Sequence, residues 1–199
     1  MKIGIIREGK IPADPRTPFT PEILKSVADS FADQLECCVE QSNLRVFSDQ
    51  EYLDKGVEIV VDLSDVDVLF GVKEVPIEQL IPNKTYFFFS HTIKKQAKNK
   101  GLLQAILAKS IRLIDYELLK NPAGERVVAF GRWAGIVGAY TAFWTYGKKT
   151  GLFDIRRAMA LKDLEGLKGE LKKVVLPPIK IIVTGRGRVG KGVVEILEI

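Results

Sequence analysis

The sequence has no long hydrophobic run. No apolar stretch approaches the roughly 20 residues that a membrane helix needs, so no membrane partner is expected. The apolar part of the opening MKIGIIREGK is too short for a signal peptide and reads as a first strand. Cysteine is scarce. The only two, Cys37 and Cys38, are adjacent, which does not suit the usual disulfide geometry, and no third exists to pair with either. They read as reduced core residues of a cytoplasmic protein. No internal repeat or low-complexity segment is visible. Acidic and basic residues nearly balance, at 25 and 30, for a net charge of +5. The basic residues are scattered through IKKQAKNK, YGKKTG, DIRR and ELKKV, with acids between most groups. No nucleic-acid partner is therefore expected.

What remains is an ordinary soluble composition, 46% hydrophobic and 28% charged, in 199 residues. That length holds one sizeable core and the start of a second domain. Strands are expected at residues 2–7, 35–40 and 58–61, with a short helix at 50–55 between the last two. TPEILKSVADSF reads as a helix with Thr20 as N-cap and Pro21 at its first position. Its apolar Ile23, Leu24, Val27, Ala28 and Phe31 recur at helical spacing. DVLFGVK and TYFFFSH are near-continuously apolar, as strands buried on both faces are. A helix between 92 and 110 then leads to the strand IRLIDYE. This alternation predicts an α/β fold with a parallel sheet, whose working site lies beyond the carboxyl ends of its strands.

NPAGERVVAF reads as a turn and short strand, and GRWAGIVGAYTAFWTYGKKTG as a long helix. On that helix Ala134, Gly138 and Ala142 are spaced by four, which would let a neighbouring backbone approach closely. LKDLEGLKGELKKV is a charged helix with leucines on one side, and LPP ends it before a final apolar strand at 179–183.

That last strand leads into Gly185-x-Gly187-x-x-Gly190 and an apolar helix. As a dinucleotide fingerprint, the first glycine permits the tight turn. The second lets backbone approach a pyrophosphate, and the third lets helix and strand pack. Gly185, Gly190 and Lys191 also nearly spell a triphosphate loop, but Gly192 stands where that loop needs a hydroxyl for magnesium. The acidic residue that grips the ribose would lie about 20 residues on, beyond Ile199.

Three cations follow three different strands. Arg16 lies between the first strand and first helix, and a guanidinium fork can bind a carboxylate. Lys73 closes the strand FGVK. If desolvated it is a base near neutrality; if paired with Glu74 it stays a cation. His91, the only histidine, ends TYFFFSH and titrates where proton transfer to an amine or imine occurs. Asp115 and Glu117 end another strand and could bind a cationic amine or tune Lys73. Each has a bland alternative, as a snorkelling lysine or a solvated loop side chain. Together they suit a substrate with carboxylate and amine groups.

MKIGIIREGKIPADPRTPFTPE, FGVKEVP, FFFSHTIKKQ and DYELLKNPAGERVVAFGRWAGIVGAY resemble the N-terminal half of the alanine dehydrogenase and saccharopine dehydrogenase superfamily. The similarity is greater to lysine-forming saccharopine dehydrogenases. The resemblance implies a Rossmann-like (flavodoxin-like) N-terminal domain that binds a small amino-acid or 2-oxo-acid substrate. It also implies a second Rossmann domain holding NAD or NADP through Gly185, Gly187 and Gly190. Carried onto this sequence, Lys73 and His91 are the acid/base groups and Arg16 the ligand of the substrate carboxylate. Glu74 and Glu117 would tune the site or meet the substrate amine, and no metal is implied.

The expected division is a substrate domain at 1–150, including a connecting helix at 131–150, a helical linker at 151–178 and the first βα unit of a dinucleotide domain at 179–199. The chain is thus expected to be a fragment, through engineered truncation or a prematurely ended reading frame, and inactive alone. The implied reaction oxidises a C–N bond to an imine that water splits into an amine and a 2-oxo acid. Alanine dehydrogenase, a carboxyethylornithine-synthase-like reductase and a non-catalytic amino-acid-binding module are the alternatives. The substrate, NAD against NADP, and assembly into a homo-oligomer stay open.

Overall fold

A computed structural model describes residues 1–199. The chain divides into two compact units, Met1–Val128 and Ala129–Ile199.

The first unit is a parallel sheet covered on both faces. In chain order it runs β1 (Lys2–Ile5), α1 (Pro21–Ser30), β2 (Glu36–Glu40), α2 (Asp49–Leu53), β3 (Glu58–Val60), β4 (Val68–Phe70), β5 (Thr85–Phe88), α3 (Lys100–Ala108) and β6 (Arg112–Asp115). All six strands pair in parallel, in the order β3-β2-β1-β4-β5-β6. This is the Rossmann order, and it reverses between β1 and β4, where ligands of such sheets bind.

Period-two alternation assigns each side chain its face. Ile3 and Ile5 pack with Leu24 of α1 and Tyr52 of α2. Leu69, Tyr86 and Phe88 pack with Leu102 and Ile106 of α3 on the other face. Leu24 and Phe88 are fully buried, and truncating such a side chain to Ala costs about 2–5 kcal/mol. The helix starts are fixed locally. Thr20 Oγ1 accepts from Ile23 N at 3.3 Å, with Pro21 in the first turn, as the sequence predicts. Ser48 and Glu51 form a reciprocal capping box on α2.

Two expectations for this unit change. The helix expected across 92–110 is only Lys100–Ala108, preceded by 3₁₀ turns at Thr92–Lys94 and Ala97–Asn99. His91 and Lys95 both take left-handed backbone conformations, φ 54° and 52°, which interrupt a right-handed helix. NPAGERVVAF forms a turn closed by a single antiparallel bridge, Lys120 to Arg126, and no strand. The turn goes through Gly124 at φ 80°, with the Asn121 side chain bonded to Glu125 N.

The second unit is helical: α4 (Gly131–Thr150), α5 (Leu164–Leu171) and α6 (Arg188–Leu197). The helix expected to belong with residues 1–150 thus groups with the second unit, where it packs on α6. Its core joins Ile136, Ala139 and Tyr140 to Phe153, Leu167, Leu171 and Ile196. The close helix contact does not use Ala134, Gly138 and Ala142. Those three are exposed, and a methyl group on Gly138 would meet nothing within 4 Å. The contact lies at Gly135, where a Cβ would stand 2.0 Å from Val189 O, and at Gly192, where it would stand 2.1 Å from Arg132 O. Gly135 falls on the buried stripe of α4 that also holds Ile136, Ala139 and Tyr140, and Gly192 lies on the buried side of α6 with Ile196. Arg132 grips Glu195 with a two-pronged ion pair beside them, at 2.8 and 2.5 Å. The strand expected at 179–183 does not form. Ile179, Ile181 and Ile182 are exposed, and a lone extended segment has no partner for a ladder.

Candidate functional site

The carboxyl ends of β1, β4 and β5 carry a tight set of charges. β1 leads to Glu8, Lys10, Asp14 and Arg16, β4 to Lys73 and Glu74, and β5 to Ser90 and His91. The pairing register puts these ends side by side, since β1 and β5 both flank β4.

Glu74 is the centre of the set. Its Oε1 lies 2.6 Å from His91 Nδ1, and its Oε2 accepts from Lys10 Nζ at 2.8 Å. Burial would push this carboxyl up, but the hydrogen bonds from Lys10 and His91 outweigh it and hold it down at about 2. The His91 backbone is anchored by Asn99 Nδ2, which donates to its carbonyl at 3.2 Å. A histidine at φ 54° is costly for a non-glycine residue, and such strain persists where surrounding contacts over-determine it.

The Lys73 ammonium makes no hydrogen bond or ion pair. Its Nζ lies 6.0 Å from the centre of the Phe89 ring, which in turn stacks on the His91 ring at 6.4 Å. Burial, then the positive charges of Arg16 and Lys10, push its ammonium below the ordinary lysine value. Of the two states open to Lys73 on sequence grounds, the pairing with Glu74 is not made. Glu74 is taken by Lys10 and His91 instead.

Arg16 is held by Asp14, which accepts from its Nε at 2.8 Å and from one terminal nitrogen at 2.5 Å. That bond to Arg16 outweighs burial and lowers the Asp14 carboxyl. Arg16 and Lys73 act on each other's surroundings, so they share one neighbourhood.

The acidic end of β6 splits in two. Asp115 is buried and committed: one oxygen accepts from Ser90 Oγ at 2.5 Å and the other from Glu117 N at 2.8 Å. It ties the segment bearing His91 to the segment bearing Glu117. Glu117 Oε1 faces Lys94 at 3.3 Å and Arg126 at 3.9 Å, while its Oε2 is buried without any partner. An unsatisfied buried carboxylate oxygen costs free energy, and an incoming donor would relieve it.

Sequence reasoning overlooked Glu8, Lys10, Asp14 and Ser90. The available signal was their place: each follows a strand end on the edge already singled out by Arg16, Lys73 and His91. Their pairings depend on tertiary geometry and leave no spacing pattern.

In the second unit each fingerprint glycine has a distinct geometry. Gly185 turns at φ 85°, a conformation glycine adopts without a Cβ clash. Gly187 is the N-cap of α6, with nothing within 4 Å of where a Cβ would be. At Gly190 a Cβ would stand 2.2 Å from Gly185 O, so only glycine lets the helix close on the turn. An open second glycine before a helix N-terminus, locked by the third, suits the pyrophosphate of a dinucleotide.

Residues 4–137 match the family described as "Alanine dehydrogenase/PNT, N-terminal domain". The chain is 36% identical over 201 residues to "Alpha-aminoadipic semialdehyde synthase, mitochondrial" of Bos taurus, covering 92% of this chain and 21% of that protein. It is 27% identical over 212 residues to a saccharopine dehydrogenase (NAD(+), L-lysine-forming) of Yarrowia lipolytica, covering 98% of this chain and 56% of the other. The chain thus spans about a fifth of the first relative and about half of the second. A solved L-alanine dehydrogenase has the same fold, with a TM-score of 0.65 at 17% identity, over 98% of this chain and 51% of that one. No helix is long and apolar enough to cross a membrane. The family match runs from Gly4 in β1 past the end of β6 and takes in every charged residue of the cluster described above, and on that match the chain belongs to the alanine dehydrogenase/PNT N-terminal domain family.

Proposed function

We propose that this chain carries the substrate-binding part of an NAD(P)-dependent oxidoreductase of the saccharopine dehydrogenase type. The reaction oxidises a C–N bond to an imine, which water splits into an amine and a 2-oxo acid. The observation that carries this reading is Lys73: a half-buried ammonium with no partner, beside the His91–Glu74 pair.

Each side chain then has a task. A secondary amine must lose its proton before its carbon can give up hydride. Lys73, with its proton affinity lowered by burial and by Arg16, takes that proton. Glu74 receives the proton-bearing Nδ1 of His91, which leaves Nε2 to move protons to and from the attacking water. Arg16 binds a substrate carboxylate, with Asp14 holding its guanidinium plane. Glu117 Oε2 accepts from the substrate amine, filling its missing hydrogen bond.

The glycine turn fits a nicotinamide dinucleotide, with Gly185 and Gly187 and the start of α6 against its pyrophosphate. When bound, the dinucleotide supplies the acceptor or donor of hydride.

Names among the relatives favour lysine and saccharopine over alanine, since a lysine-forming saccharopine dehydrogenase matches over nearly the whole chain. The test is turnover by the full-length protein with saccharopine, with lysine plus 2-oxoglutarate, and with alanine, each with NAD and NADP. The expected result is turnover of the saccharopine couple. Turnover of alanine alone would move the reading to alanine dehydrogenase. Binding of lysine or alanine without any turnover would make this a non-catalytic binding module.

A further inference from the structure

β4 is flanked by β1 and β5, and its last amides lose their strand partner on the β1 side. Ile6 N still donates to Phe70 O at 3.0 Å, and Gly71 N to Phe87 O at 2.9 Å. Beyond that point the chain after β1 diverges. Val72 N and Lys73 N would be left without acceptors. The Glu8 side chain replaces the missing strand. Its Oε1 accepts from Val72 N at 2.6 Å and its Oε2 from Lys73 N at 2.9 Å. Gly71 makes room for this bridge, since a Cβ there would stand 2.7 Å from Ile6 and 3.4 Å from Glu8 Oε1. Phe89 N closes the other side of the turn by donating to Val72 O at 3.1 Å.

We infer that Glu8 is a positioning residue for Lys73: by holding both amides of the Val72–Lys73 turn, it aims the lysine along the Phe89 ring and away from the neighbouring carboxylates. This rests on the proposed role of Lys73. The groups around that ammonium are Arg16, Lys10, Asp14 and Glu74, with Glu8 at the turn itself. Asp14 and Glu74 are the acids that a loosened Lys73 would pair with. Burial raises the Glu8 carboxyl above its ordinary range, partly offset by the two amide bonds. A neutral amide in its place therefore removes a desolvation cost, and the fold tolerates it better than it would the loss of a buried ion pair.

Glu8→Gln separates positioning from charge. Glutamine has one acceptor oxygen for two amides, so the turn loosens and Lys73 reaches an acid, which raises its proton affinity. Loss of the Glu8 negative charge alone would lower that affinity. Competitive acetic anhydride labelling of Lys73 across pH in the full-length protein reads the midpoint directly, without turnover. The expected result is a midpoint at least about one pH unit higher in Glu8→Gln. In turnover, kcat should fall about tenfold or more while KM changes little. Glu8→Asp, which keeps both oxygens and the charge, should recover part of both. A midpoint that is unchanged or lower in Glu8→Gln overturns the inference. Lys73→Met separates the two claims. If it abolishes turnover while Glu8→Gln leaves labelling unchanged, only the inference on Glu8 fails. If Lys73→Met leaves turnover intact, the role of Lys73 fails, whatever the labelling shows.

Discussion

Glu74 and His91, 17 residues apart in sequence, meet at 2.6 Å between Oε1 and Nδ1. The bond joins the chain beyond β4 to the chain beyond its neighbour β5. Lys10, after β1, takes the other oxygen of Glu74 at 2.8 Å. One carboxylate thus pins the chain segments beyond three strands, and this leaves Lys73 unpaired beside it.

The first prediction concerns acid stability. The Glu74 carboxyl sits at about 2 in the folded protein against an ordinary 4.5. A depressed acid contributes stability above its unfolded value and loses it as pH falls toward the folded one. The contribution of Glu74 should therefore fade between about 4.5 and 2. Glu8 acts in the opposite sense, because its carboxyl is raised and its ionised form is the costly one. Urea unfolding at several pH values should show an acid decline that is shallower in Glu74→Gln. An unchanged slope would mean that Glu74 is not held as described.

A second prediction uses two glycines of one helix. Gly135→Ala places a methyl group 2.0 Å from Val189 O, against backbone that cannot swing away. It should destabilise the second unit by about 1–3 kcal/mol or more. Gly138→Ala meets nothing within 4 Å and should stabilise by about 0.5–1 kcal/mol through helix propensity. Thermal melts of both variants decide this. Equal effects would contradict the helix contact.

The same helix shows where sequence reading reaches its limit. Its length was legible from Gly131 to Thr150, but spacing by four picked Ala134, Gly138 and Ala142, while the buried stripe passes through Gly135 and Ala139. Several stripes of small residues coexist on this helix, and only the partner selects among them. The sheet was more legible, because strands buried on both faces leave apolar runs such as TYFFF, and the Thr20–Pro21 start carries its own chemistry. The strand expected at 179–183 failed for lack of a neighbour, which sequence does not reveal. Within the site, Arg16, Lys73 and His91 could be read from their places after strands. The acids that govern them could not, because Asp14 and Glu8 act through distances set by the fold.

A third prediction concerns the cysteines. Burial pushes the Cys38 thiol up to about 11, and it pushes Cys37 up as well. Cys38 is fully buried, and its Sγ contacts Ile3 O at 3.6 Å. Neither should react readily with iodoacetamide at pH 8 until the protein is unfolded. Intact mass after labelling with and without denaturant checks this. Rapid native labelling of Cys38 would contradict its placement.

The glycine turn gives a fourth. Gly187→Ala has room in the fold, whereas Gly190→Ala would drive a methyl group into Gly185 O at 2.2 Å. In the full-length protein, Gly187→Ala should keep its melting temperature but lose about tenfold or more in dinucleotide affinity, about 1.4 kcal/mol. Gly190→Ala should lose both stability and affinity. Calorimetric titration with NAD and NADP measures the affinities. Unaltered affinity in Gly187→Ala would remove the pyrophosphate from this turn.

The central claim is that Lys73 exchanges the proton of the substrate amine. It is tested most directly by the pH dependence of kcat for saccharopine oxidation by the full-length protein and its Lys73→Met variant. Loss of a positioned acid/base group should lower kcat by about 10²–10⁴-fold and abolish the limb of the profile that belongs to the lysine. A Lys73→Met enzyme with the parent's kcat and an unchanged profile would contradict the account.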